Sequence, residues 1–125
     1  MRIIPRKTFV ERILNESYTY PTIGEQEFNE LLRNRDGKPF LVVFTAEWLG
    51  EGTIMDSIIE GLAEDYQDRM GCYRVDVEVS KNVSHQMGVR RLPAIYFFKN
   101  GELSGHFSGM VPARTIAHRM DELLD

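Results

Sequence analysis

Few residues in this chain have the type and spacing needed for covalent or metal chemistry. There is one cysteine, Cys72. A single thiol cannot form an intramolecular disulfide, a dithiol couple or a cysteine-rich zinc site. Cys72 opens the alternating stretch CYRVDVEV and reads as a small buried hydrophobe. A monothiol role or an intermolecular disulfide is the reactive alternative. His85, His106 and His118 lie 21 and 12 residues apart. That leaves no tight ligand pair, so neither a metal site nor a cofactor is expected. The segment that draws attention is AEWLGEG, residues 46–52, where an apolar strand gives way to a helix. It offers an apolar Trp48–Leu49 pair, an acid at Glu51 and a small residue at Gly52, and no nucleophile. An acid near a helix start is favourable by a few tenths to ~1 kcal/mol.

The surrounding pattern shows what positions this junction. Residues 40–46, FLVVFTA, form a continuous apolar run of the kind buried on both faces at the centre of an α/β sheet. A helix is predicted over about 52–69. Its inner stripe would carry Ile54, Ile58 and Leu62 beside Met55, Ile59 and Tyr66, with Asp56, Glu60, Glu64, Asp65 and Asp68 facing water. Upstream, RKTFVERILNE (6–16) predicts an amphipathic helix after Pro5. YTYPTI (18–23) predicts a short edge strand, and EQEFNELLRNR (25–35) a second helix. Downstream, CYRVDVEV (72–79) predicts a strand, and Ser80 and Gly88 bracket a short helix. PAIYFFK and ELSGHFSG, joined by Asn100-Gly101, predict a hairpin. Pro112 opens a last helix whose apolar face is Ala113, Ile116, Ala117, Met120 and Leu123. These alternating units imply an α/β fold, a central mixed sheet with helices on both faces.

The bulk numbers narrow the function classes. At 125 residues the chain suits one domain with one core. A net charge of −4 argues against nucleic acid or an anionic membrane as partner. There is no apolar run of 18 residues to span a membrane. The N-terminus has neither a continuous apolar h-region nor a small-residue cleavage site, so a cytoplasmic protein is expected.

Read in order, several of these segments resemble thioredoxin. They are FLVVFTAEW, the Leu92–Pro93 pair after MGVRR, the FFKNGE hairpin at 97–102, and Gly109 before the last helix. The resemblance covers residues 18–125 and implies a thioredoxin fold, with residues 1–17 as an added N-terminal helix. It also implies what is missing. The family carries two cysteines, two residues apart, at the start of the long helix, where the helix dipole favours thiolate. The matching positions are Leu49 and Gly52, which can neither attack a disulfide nor resolve one. The family's buried aspartate beneath them matches Val43. Its basic partner on the next strand matches Arg74, which must find another counter-charge or reach solvent.

What the resemblance retains is a surface. It implies a cis Leu92–Pro93 bond facing the former active site, and an apolar platform of Trp48, Leu49, Val77, Leu92, Pro93 and Met110. The expected function is therefore redox-inactive polypeptide binding by an adaptor or chaperone-like module, not an enzyme, with a partner of unknown identity. The rival reading is a thiol-disulfide oxidoreductase acting through Cys72 or a partner's thiol. A third is homodimerisation through the same patch.

Overall fold

The computed structural model describes residues 20–49 and 54–125. The expected helix over 6–16, the boundary at 17 and 18, and positions Glu51 and Gly52 lie outside the described residues. The elements run α1 (Glu25–Arg33), β1 (Phe40–Thr45), a 3-10 turn (Glu47–Leu49), α2 (Ile54–Tyr66), β2 (Gly71–Asp76), α3 (Lys81–Met87), β3 (Ala94–Lys99), β4 (Glu102–Ser108) and α4 (Ala113–Leu124). The sheet order is β2-β1-β3-β4. β1 pairs parallel with β2 and antiparallel with β3, and β3 pairs antiparallel with β4. The expected mixed sheet is therefore present.

β1 is buried along its whole length, because both faces of the sheet are covered. Leu41 and Val43 point to one face, with Ile95 and Phe97, beneath α2 and α4. Phe40, Val42 and Phe44 point to the other, with Tyr96 and Phe98, beneath α1 and α3. The period-2 alternation of strand side chains thus divides one apolar run between two cores. From α4, Ile116, Met120 and Leu123 enter the first core. Ala113 is exposed and Ala117 half-buried, so the apolar face of α4 is narrower than the sequence pattern predicts.

Local chemistry sets the boundaries. The backbone N–H of Gly24 donates to Glu27 Oε1 at 2.6 Å and closes the start of α1. The predicted strand over 72–79 stops at Asp76. There Asp76 Oδ1 accepts from the Glu78 N–H at 2.8 Å, and its carbonyl accepts from Val79 and Ser80. An aspartate turn of this kind competes directly with a sheet ladder. The predicted strand over 18–23 reduces to one parallel bridge, Thr22 to Arg74. Pro112 sits just outside α4, with extended backbone, and not at its first helical position. The β3–β4 turn uses Asn100 (φ 56°) and Gly101 (φ 78°), as a tight two-residue hairpin requires. β4 bulges at Ser104, where the register shifts. Arg119 of α4 donates to the Ser104 carbonyl and, at 2.8 Å, to its Oγ, which fastens α4 to the bulge. Among the described residues no helix is long and apolar enough to cross a membrane.

Candidate functional site

The C-terminal end of β1, the 3-10 turn, the start of α2 and the segments flanking β3 and β4 meet around one cavity of about 180 Å³. Its walls are Val43, Thr45, Leu49, Met55, Asp56, Pro93 and Met110. The Leu92–Pro93 peptide is cis. Pro93's carbonyl accepts from the Gly109 N–H at 2.7 Å, so the segment before β3 and the one after β4 form a single lip. The opposite lip is the 3-10 turn, closed by the Leu49 N–H on the Ala46 carbonyl at 3.0 Å.

Three residues of the expected platform, Leu49, Pro93 and Met110, line this cavity together with Val43. Trp48, on the same turn as Leu49, is 65% exposed. Met110 is also exposed. Val77 and Leu92 are arranged differently. Both are half-buried and pack against the α1/α3 core on the other side of the sheet. Val77 is joined to the cavity rim only through its N–H, which donates to the Thr45 carbonyl at 2.9 Å. The six expected residues therefore form a cavity group, an exposed tryptophan beside it, and two residues serving the second core.

Asp56 overturns one sequence expectation. It was assigned to the solvent face of α2, yet it is 6% exposed, while Ile54, assigned inward, is 70% exposed. The buried positions of α2 are 55, 56, 59, 63 and 66. Counting from 56, positions 59, 63 and 66 fall at the i+3, i+7 and i+10 spacing of one helical face, so the inward stripe keeps the predicted 55, 59 and 66 and turns toward 56 and 63, away from 54. Tyr20 and Arg74 are among the groups that hold the carboxylate. Tyr20 donates its hydroxyl to Asp56 Oδ1 at 3.1 Å, and Arg74 Nη2 lies 3.3 Å from Oδ2. Arg74 stands opposite Val43 in the β1–β2 register. Arg74 therefore finds its counter-charge on the helix packed over β1, where Val43 is apolar. Burial, and next the adjacent Asp56 carboxylate, push the Tyr20 phenol well above its ordinary value, so it remains a neutral donor.

Sequence reasoning missed Asp56, Met55, Thr45 and Tyr20 as parts of this site. The available signal was Arg74, a strand cation in need of a partner, together with Ile59 and Ala63 in helical step with Asp56.

Cys72 is 2% exposed and belongs to the α2/α4 core. Burial pushes its thiol up to about 12. It lies in β2 two residues before Arg74, and it is not among the residues that line the cavity. Among the described residues, no group of three or more His, Cys, Asp and Glu side chains is placed to hold a metal ion.

Comparison with known proteins agrees with this architecture. The family model for thioredoxin matches residues 20–122. The M-type chloroplastic thioredoxin of Pisum sativum is 30% identical over 102 residues, which is 82% of this chain and 59% of that protein. The M-type chloroplastic thioredoxin of Chlamydomonas reinhardtii is 32% identical over 87 residues, which is 70% of this chain and 62% of that protein. The chain thus spans about three-fifths of the length of these curated relatives. In fold it is similar to a solved mutant thioredoxin from Halobacterium salinarum NRC-1. The TM-score there is 0.73 at 22% identity, over 86% of this chain and 93% of that one.

Proposed function

The chain belongs to the thioredoxin family, and from that premise we propose that it is a redox-inactive member that binds polypeptide at the cavity beside Pro93. The observation that carries this reading is the make-up of the cavity wall. Leu49 stands where the resemblance puts the attacking thiol, with Val43 beneath it and Met110 and Pro93 across from it. Such a wall has an apolar surface to offer and no thiol. Trp48 and Met110 extend that surface outward. Solvent-facing side chains of this size forgo roughly 1.5–3 kcal/mol each relative to burial, and their clustering at a cavity mouth is typical of contact surfaces.

The rival reading, disulfide exchange, has to run through Cys72 or through a thiol supplied by a partner, and Cys72 is the one thiol of this chain. A thiol with a raised pKa inside a core supplies little thiolate and has little access to a substrate disulfide. Two measurements separate the readings. In an insulin-reduction assay with dithiothreitol, the protein and its Cys72→Ser variant should both match background; turnover that depends on Cys72 would sink the redox-inactive reading. In affinity capture, Trp48→Ala and Met110→Ala should each weaken retention of the bound partner, and undiminished capture by both would remove the cavity from the binding surface. Leu92→Ala is a poorer probe, because Leu92 supports the α1/α3 core.

A further inference from the structure

We infer, on the basis of the polypeptide-binding reading above, that this surface selects an extended partner segment with one apolar residue for the cavity and acidic residues beside it. Two adjacent arginines, Arg90 and Arg91, directly precede Leu92–Pro93. Both are exposed, and neither has an ion-pair or hydrogen-bond partner among the described residues. The charge of Arg91 is located by its contact with Gly109. Its Nε, Cζ and Nη2 lie 3.5–3.8 Å from the point where a side chain on Gly109 would begin. Gly109 is bonded through its N–H to the Pro93 carbonyl and is followed by Met110, a cavity wall. The guanidinium therefore rests on the backbone junction that carries two of the cavity's own residues.

Charge and size then define the partner. The chain as a whole carries −4, and Arg35, Arg74 and Arg119 are each matched to a carboxylate. The lip at 90–91 is thus an unmatched positive site on an acidic protein. The opposite lip carries exposed Glu47 beside Trp48, so the surface is polar in sense, and an acidic neighbour is favoured on the Pro93 side. Arginine forks suit carboxylates because they can bond both oxygens at once. A cavity of about 180 Å³ is in the range that accommodates one benzene-sized apolar group, for which ~150 Å³ suffices. One Leu, Met or Phe side chain fits that description.

The test uses short fluorescein-labelled peptides of equal length with a central leucine, flanked by glutamates, serines or lysines. A fourth peptide keeps the glutamates and replaces the central leucine by serine. Fluorescence anisotropy is read at low and at physiological ionic strength. The glutamate peptide should bind roughly three- to tenfold tighter than the serine peptide at low salt, from two exposed ion pairs, and the margin should shrink as salt rises. A doubly charge-reversed variant, R90E with R91E, should prefer the lysine peptide, with its fold checked by circular dichroism. The serine-centred peptide should bind weakly to both proteins. Equal binding of the glutamate and serine peptides, or an unchanged preference in the reversed variant, overturns the acidic selectivity. If binding then still requires the central leucine, the polypeptide-binding reading stands without it. If no peptide binds, or light scattering shows the surface occupied by a second copy of the chain, both readings fall.

Discussion

Replacing Asp56 with alanine removes the carboxylate that Tyr20 and Arg74 share, and the loss can be worked from the geometry. Tyr20 is 3% exposed, so its hydroxyl would lose its acceptor where water cannot replace it, at a cost of about 1–3 kcal/mol. Breaking a fully buried ion pair costs about 3–5 kcal/mol. Arg74's side chain is 26% exposed, however, and can turn to solvent, which reduces that share to about 1 kcal/mol. The expected destabilisation is therefore about 2–4 kcal/mol. A domain of this size loses about 4 °C of Tm per kcal/mol, so the fall should be roughly 8–16 °C. Urea denaturation followed by far-UV circular dichroism is the suitable assay, because the single tryptophan, Trp48, is exposed and reports poorly on the core. Asp56→Asn, which keeps an oxygen for Tyr20, should lose less than Asp56→Ala. A double-mutant cycle with Tyr20→Phe should return a coupling of about 1 kcal/mol, since the two side chains touch. An Asp56→Ala protein within ~0.5 kcal/mol of the parent, or strict additivity in the cycle, would refute the shared-carboxylate account.

Two further outcomes follow from burial and backbone geometry. The Cys72 thiol is raised from an ordinary 9.0 to about 12, so between those values the unfolded chain loses a proton that the native state keeps. The resulting stability is complete below pH 9.0 and is lost as pH rises toward about 12; denaturation midpoints should fall over that window, and Cys72→Ala should flatten the decline. Equally, native protein at pH 8 should react with Ellman's reagent only after denaturant is added. In the hairpin, a side chain at Gly101 would begin 2.5 Å from the Leu32 carbonyl oxygen at a φ of +78°, whereas at Gly88 (φ +69°) it meets nothing within 4 Å. Gly88→Ala should cost about 1 kcal/mol and Gly101→Ala clearly more, read from urea midpoints. Equal costs would mean that the Leu32 contact carries no weight.

The architecture was legible because its signals are one-dimensional. Buried strands show as apolar runs, the hairpin as Asn100-Gly101, and α3 by its glycine stop. What stayed hidden depended on partners distant in sequence. The rotation of α2 is the clearest case. The predicted stripe joins 54, 58 and 62 with 55, 59 and 66; the structure keeps 55, 59 and 66 buried, adds 56 and 63 and turns 54 outward, and an acid at 56 reads from sequence as solvent-facing. The pairing of β1 with β2 puts Arg74 under α2, and that cation helps make burial of Asp56 tolerable. Val77 and Leu92 stand apart from the cavity wall for a similar reason. Sequence placed them near Pro93, but the turn at Asp76 and the α1/α3 core determine where their side chains pack.

The resemblance to thioredoxin invites the inference that an apolar Val43 means the buried acid was dispensable once the thiols were absent. The structure argues for a different division of labour. A carboxylate is still buried beneath the cavity, but α2 supplies it and β1 does not. The Arg74 guanidinium on β2 and a phenol within the core both call for an acceptor at that place, and Asp56 meets both needs at 3.3 and 3.1 Å. The requirement for charge there is thus set by the neighbouring side chains, independently of thiol chemistry. Arg74→Met together with Tyr20→Phe removes two of the partners that favour burying Asp56. In that background Asp56→Leu should be neutral or stabilising, as apolar replacements of buried ion pairs often are by about 1–4 kcal/mol. A destabilised triple variant would show that Asp56 contributes to stability through groups other than Tyr20 and Arg74.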